Sequence, residues 1–140
     1  MWPKAAVLVQ SAALPYRVNA DGAIEILLVT ARKSGRWVLP KGKIPHGMSF
    51  AASAAKEALE EAGVEGDISP MSFASYRATK RGTDGRKRVV EVWIYPLLVT
   101  RCRSDWRERG QRRLTWVSPD EAIALLGEEA VGEAIRRLNR

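Results

Sequence analysis

Three glutamates in one short segment carry the first chemical signal. The stretch Lys56-Glu57-Ala58-Leu59-Glu60-Glu61-Ala62-Gly63-Val64 places Glu57, Glu60 and Glu61 at i, i+3 and i+4. On a helix that spacing projects all three carboxylates from one face. Carboxylates so close repel one another, and Lys56 alone cannot neutralise them. A hard divalent cation can. Mg²⁺ accepts a few carboxylate oxygens and keeps room for water and a substrate phosphate. An acidic helix face taken alone is more often solvated surface, but the residues ahead of this one add weight. Trp37-Val38-Leu39-Pro40-Lys41-Gly42-Lys43 runs from a strand end into a glycine-containing loop that leads to the helix. Glycine allows close backbone approach to a ligand, Lys41 and Lys43 bring positive charge, and a helix N-terminus offers N–H groups to anions.

The elements that must position these groups follow from local signals. Ser49 is an N-cap residue for a helix over an alanine-rich stretch to about Ala62, with Gly63 at the C′ position. Residues 5–10 and 24–30 read as strands separated by the turn Asn19-Ala20-Asp21-Gly22, and 37–39 as a short strand ended by Pro40. Residues 41–47 read as a loop. Residues 71–80 and 89–100 form two strands around the hairpin signal Gly82-Thr83-Asp84-Gly85. A last strand covers 114–117. Ser118-Pro119-Asp120-Glu121 opens a helix with Ser as N-cap and Pro at N1, and a final helix covers about 128–138. The order lacks regular βαβ alternation, so a mixed sheet packed between helices is expected, in a single domain spanning 1–140.

Composition bounds the function classes. The chain has 140 residues, 46% hydrophobic and 28% charged, which is globular rather than disordered or membrane composition. Its net charge of +7 and pI near 10.0 suit an anionic partner. Lys4 precedes an apolar run that stops at Gln10 and Ser11, so it reads as a buried strand rather than a leader. A single cysteine, Cys102, excludes an intramolecular disulfide, and a reducing, cytoplasmic setting is expected. Lys4, Arg32, Lys41, Lys43, Arg88, Arg112 and Arg113 are candidate phosphate contacts. Arg81, Arg86 and Lys87 fit a solvated hairpin tip, His46 a plain loop position, and Trp37 and Trp116 strand-end packing.

The glutamate segment and its preceding loop resemble the Nudix box, G-x5-E-x7-R-E-U-x-E-E-x-G-U with U aliphatic. Its spacing is kept from Gly42 to Val64, with Gly42, Glu57, Glu60, Glu61, Gly63 and Val64 all matching. Met48 stands where the box has glutamate, and Lys56 where it has arginine. The flanks Arg36-Trp37-Val38-Leu39-Pro40-Lys41-Gly42, Asp105-Trp106 and Gln111-Arg112-Arg113-Leu114-Thr115-Trp116-Val117 resemble the diphosphoinositol-polyphosphate and diadenosine-polyphosphate hydrolase branch. The resemblance implies a Nudix-type α/β/α sandwich, with Glu57, Glu60 and Glu61 as catalytic, metal-binding carboxylates and the Gly42 carbonyl as a further ligand. It implies Mg²⁺, or Mn²⁺ in its place, and hydrolysis of a phosphoanhydride in a dinucleoside polyphosphate or diphosphoinositol polyphosphate. The general base would be one of the three glutamates, or Glu91, Asp105 or Glu108. The alternatives are an RNA 5′-pyrophosphohydrolase and a non-catalytic nucleotide-binding module, the latter on the strength of Met48 and Lys56. The expected partner is a small anionic substrate rather than nucleic acid or membrane, for a monomer or homodimer.

Overall fold

The computed structural model describes residues 7–138, so the candidate phosphate contact Lys4 lies outside the described residues. The strands are β1 (Val7–Val18), β2 (Ile24–Thr30), β3 (Trp37–Val38), β4 (Lys41–Lys43), β5 (Val64–Ile68), β6 (Ala74–Arg81), β7 (Lys87–Cys102) and β8 (Leu114–Val117). The helices are α1 (Phe50–Ala62), α2 (Pro119–Leu126) and α3 (Glu129–Leu138). The sheet runs β3-β2-β1-β7-β5, with β4 paired to β1, β6 to β7 and β8 to β2. β1 and β7 pair in parallel and every other pairing is antiparallel, so the sheet is mixed. No helix among the described residues is long and apolar enough to cross a membrane.

Two apolar clusters, one on each sheet face, make three layers. Ala54, Ala58 and Ala62 of α1 pack on Ala13, Leu27, Val29, Tyr95 and Leu97. Alanine on the inner stripe lets the helix lie close to the sheet. The other face carries Leu14, Ile26, Leu28, Val92 and Ile94 beneath Ala122 of α2 and Val131, Ala134 and Ile135 of α3. Local chemistry fixes the helix ends. Ser49 Oγ accepts from the Ala52 N–H, and Gly63, at φ 69°, donates its N–H to Leu59 O. Ser118 and Glu121 form a reciprocal capping box ahead of α2, with Pro119 in its first turn.

Three strand assignments differ from the sequence expectation. β1 continues past Gln10 to Val18, through Pro15. Proline is tolerated there because it falls between 10–12, which pair with β4, and 16–18, which pair with β2. Residues 41–43 pair with β1 instead of forming open loop. β5, unexpected from a stretch carrying Glu65, Gly66 and Asp67, pairs with β7 through a bulge between Glu65 and Gly66. A side chain at Gly66 would run into the Leu98 carbonyl, so glycine is required by that close approach rather than by a turn.

Candidate active site

Pairing of β4 to β1 sets Gly42 against the middle of α1. A Cβ at Gly42 would overlap the Glu57 carboxylate, so a side chain here would have to displace that carboxylate. One turn further along α1, Glu61 is 3% exposed. Burial pushes its carboxyl up from 4.5 to about 8, helped by a hydrogen bond with Glu57 and by the nearby charges of Glu57 and Glu108, and opposed by Arg112. Burial thus favours the protonated form of the Glu61 carboxyl beside Glu57. Two neighbouring carboxyls, one of them held up by burial, have the oxygen-donor chemistry that suits a hard cation.

Glu60 is turned elsewhere. Its Oε1 meets Lys56 Nζ at 3.1 Å and Arg107 Nη1 at 3.3 Å. Among the described residues no group of three or more His, Cys, Asp or Glu side chains is gathered as a metal-holding set. Sharing one helix face therefore does not bring the three carboxylates together. Glu57 and Glu61 follow one another at i, i+4, with Glu57 against Gly42 of β4, while Glu60 is drawn off by two cations.

The segment between β7 and β8 closes the C-terminal end of α1. Arg103 N–H donates to Gly63 O and Glu108 N–H to Glu60 O, satisfying two carbonyls at the helix end. The Trp106 ring lies where a Gly63 side chain would be, so Gly63 serves both the left-handed backbone and the ring. This segment supplies Glu108, whose Oε1 accepts from Arg112 Nε at 3.0 Å. Arg112 also donates from Nη1 to Thr30 O at 2.9 Å and sits 3.6 Å from Glu61 Oε1 through Nη2. Its side chain is only 12% exposed, so all three nitrogens act inside the protein.

The remaining candidates divide by position. Lys41 lines a cleft of about 540 Å³ between the sheet and the α2–α3 turn, with Arg36 and Lys80. Burial lowers the Lys41 pKa, Glu61 raises it, and Lys80, Arg112 and Arg36 lower it further. Lys41 therefore lies within the field of Glu61 while lining the cleft. Lys43 is exposed at the end of β4. Arg32 reaches Gln111 Oε1 at 3.2 Å and Glu108 at 3.9 Å. The Arg113 guanidinium lies 5.6 Å over the Trp37 ring. Arg88 pairs with Asp84 at 3.2 Å in the β6–β7 hairpin. Glu91 accepts from Trp93 and Arg77, and these bonds hold its carboxyl below the usual range. Asp105 is exposed, so Glu108 is the outside carboxylate that the structure brings to Glu61.

The family model described as NUDIX domain matches residues 8–138. The chain belongs to the Nudix family. It is 34% identical over 121 residues to "Nudix hydrolase 21, chloroplastic" of Arabidopsis thaliana, covering 86% of this chain and 59% of that protein. It thus spans about three fifths of that relative's length. "Diphosphoinositol polyphosphate phosphohydrolase 3-beta" of Bos taurus is 29% identical over 120 residues, covering 84% of this chain and 68% of that one. The fold matches the crystal structure of a C. elegans Ap4A hydrolase binary complex with a TM-score of 0.67 and 22% identity, over 94% of this chain and 95% of the other.

Several residues of this Nudix chain's site escaped sequence reasoning. Arg36 and Lys80 join Lys41 at the cleft only through tertiary packing, as do Gln10 and Tyr76 within it. Arg107 binds Glu60 across a sequence separation that no local pattern reveals.

Proposed function

We propose that the chain is a Mg²⁺-dependent hydrolase of phosphoanhydride bonds, acting on a dinucleoside polyphosphate or a diphosphoinositol polyphosphate, with Mn²⁺ able to replace Mg²⁺. The observation that carries this reading is the buried Glu61 beside the half-buried Glu57, which lies against Gly42, with Lys41 near Glu61 and in the lining of a cleft that also holds Arg36 and Lys80. Glu57 and Glu61 would hold the ion. Glu60 would join them by exchanging its contacts with Lys56 and Arg107. A bound divalent ion supplies neutralisation of phosphate oxygens and a water of lowered pKa. Arg112 orients Glu61 and Glu108 and keeps both carboxylates aimed. Lys41 stands where the substrate's charge passes from the carboxylates into the cleft, flanked by Arg36 and Lys80. Lys43, Arg32 and Arg113 are secondary phosphate contacts. Arg88, already paired with Asp84, is the weakest candidate.

Of the two residues that depart from the family box, Lys56 fits an active enzyme. Lys56 keeps a cation on Glu60 at 3.1 Å, although without the two-pronged geometry of arginine. The curated relatives are named hydrolases, which favours catalysis over the binding-module reading. The lone thiol, Cys102, suits the proposed cytoplasmic setting. The test is phosphate or nucleotide release from diadenosine polyphosphates, inositol pyrophosphates, nucleoside triphosphates and triphosphorylated RNA, each with Mg²⁺ and with EDTA. Metal-dependent release from the first or second class, lost in Glu61→Gln, is expected. Absence of release from every class would sink the reading.

A further inference from the structure

The cleft that Lys41 borders differs from the carboxylate site in chemistry. Its floor is apolar, built from Val38, Leu39, Val90, Val92, Leu126 and Val131. Three cations, Arg36, Lys41 and Lys80, stand in its lining, and one acid, Glu128, also belongs to it. Its volume of about 540 Å³ lies within the roughly 300–1,000 Å³ range of small-molecule sites.

Two polar side chains in this cleft have no hydrogen-bond partner among the described residues: the carboxamide of Gln10 and the hydroxyl of Tyr76. Gln10 lies on β1 two residues before Ala12, whose side chain packs under α2 and α3, so it shares the α2–α3 face of the sheet. Tyr76 on β6 is opposite Val92, and its phenol is pushed up by burial and then by Glu128. Trp37 forms part of the same wall.

An inositol polyphosphate carries an anion on nearly every carbon. Laid on this floor, most of its phosphates would face aliphatic carbon unpaired, and one would meet Glu128. A planar heterocycle fits the same surface. Its faces suit the apolar floor and the rings of Trp37 and Tyr76. A carboxamide presents one donor beside one acceptor, which matches the amino and ring-nitrogen edge of adenine. Glu128 adds an acceptor, favouring a base that carries an exocyclic amino group.

We propose that this cleft seats a purine base with an exocyclic amino group, adenine foremost, read along its edge by Gln10. The substrate is then an adenosine-ended polyphosphate whose phosphates leave the cleft past Lys41 toward Glu57 and Glu61. This inference rests on the hydrolase reading and narrows it, since an inositol polyphosphate lacks the group the cleft fits.

The test separates the two. AMP, GMP, ribose 5-phosphate and inositol hexakisphosphate are titrated by NMR in EDTA against wild type, Gln10→Leu and Gln10→Glu. Wild type should bind AMP about tenfold more tightly than ribose 5-phosphate, and Gln10→Leu should lose most of that preference. Gln10→Glu offers two acceptors and should move the AMP-to-GMP ratio toward guanine, whose edge offers two adjacent donors. A reversed preference cannot arise from misfolding. Equal affinity for AMP and ribose 5-phosphate, or an AMP-to-GMP ratio unmoved by Gln10→Glu, would overturn the base site. A parallel assay follows phosphate release from diadenosine tetraphosphate and an inositol pyrophosphate with Mg²⁺. Base preference without any release would remove the hydrolase reading and leave the cleft assignment standing. Release without base preference would do the reverse.

Discussion

Replacing Glu61 with glutamine should stabilise the metal-free protein at alkaline pH while destroying turnover. The carboxyl of Glu61 is raised from 4.5 to about 8, chiefly by burial and by its hydrogen bond with Glu57. The folded chain therefore holds this proton more tightly than the unfolded chain does. The resulting stabilisation is fully present below about pH 4.5 and is lost as pH rises through about 8. Between pH 6 and pH 9 the group passes through most of its folded-state titration. At about 1.4 kcal/mol per pH unit below the folded pKa, wild type should lose roughly 2–3 kcal/mol over that interval. Glutamine keeps the volume, donates to Glu57 and does not titrate, so the variant's stability should stay flat by comparison. Urea unfolding in EDTA at pH 6, 7.5 and 9 reads the difference directly, and groups common to both proteins cancel. On the proposed reading Mg²⁺ would bind the ionised pair, so it should raise wild-type stability most at pH 8–9 and have little effect on the variant. Parallel pH profiles for the two proteins in EDTA would refute the account of Glu61 as a carboxyl pushed up by burial.

Gly42→Ala should cut turnover sharply at little cost in stability, because the new methyl displaces the flexible Glu57 carboxylate from its position; assay and thermal melts check both, and a loss of stability without any change in turnover would contradict it. Arg112→Ala removes the cation beside two buried or half-buried carboxylates and should destabilise by about 3 kcal/mol at pH 8. In the Glu61→Gln background that cost should shrink, and a double-mutant cycle that showed simple additivity would contradict the direct coupling. Arg107→Ala frees one of the two contacts on Glu60 and should tighten Mg²⁺ binding severalfold by calorimetry; unchanged affinity would mean that Glu60 does not join the ion. Gly63→Ala, facing both a φ of 69° and the Trp106 ring, should lower stability by about 1–3 kcal/mol in urea melts.

Helix α1 and its caps were legible because their signals are local. Ser49, the alanine run and Gly63 each act through backbone groups within one turn, and the structure places the helix at Phe50–Ala62. The same holds for Ser118-Pro119 at α2 and for Ile24–Thr30 as β2. The strands read least well were those whose reasons lie across the sheet. β5 needs Gly66 because the Leu98 carbonyl lies against it, and β1 tolerates Pro15 because its partners change there.

The candidate site divides along the same line. The sequence alone determined that Glu57, Glu60 and Glu61 occupy one helix and that a glycine and two lysines precede it, because helical spacing is a property of the backbone. Only tertiary structure decided that Glu61 is buried beside Glu57, with its carboxyl pushed up, while Glu60 turns to Lys56 and Arg107. Only it turned Arg112 from a candidate phosphate contact into an internal clamp, and gathered Gln10, Arg36, Lys41, Tyr76 and Lys80 around one cleft. A carboxylate's pKa, and the ligand that a cleft accepts, depend on desolvation and on charges brought near through space. Those charges come from residues far apart along the chain, and sequence spacing carries no measure of their distance.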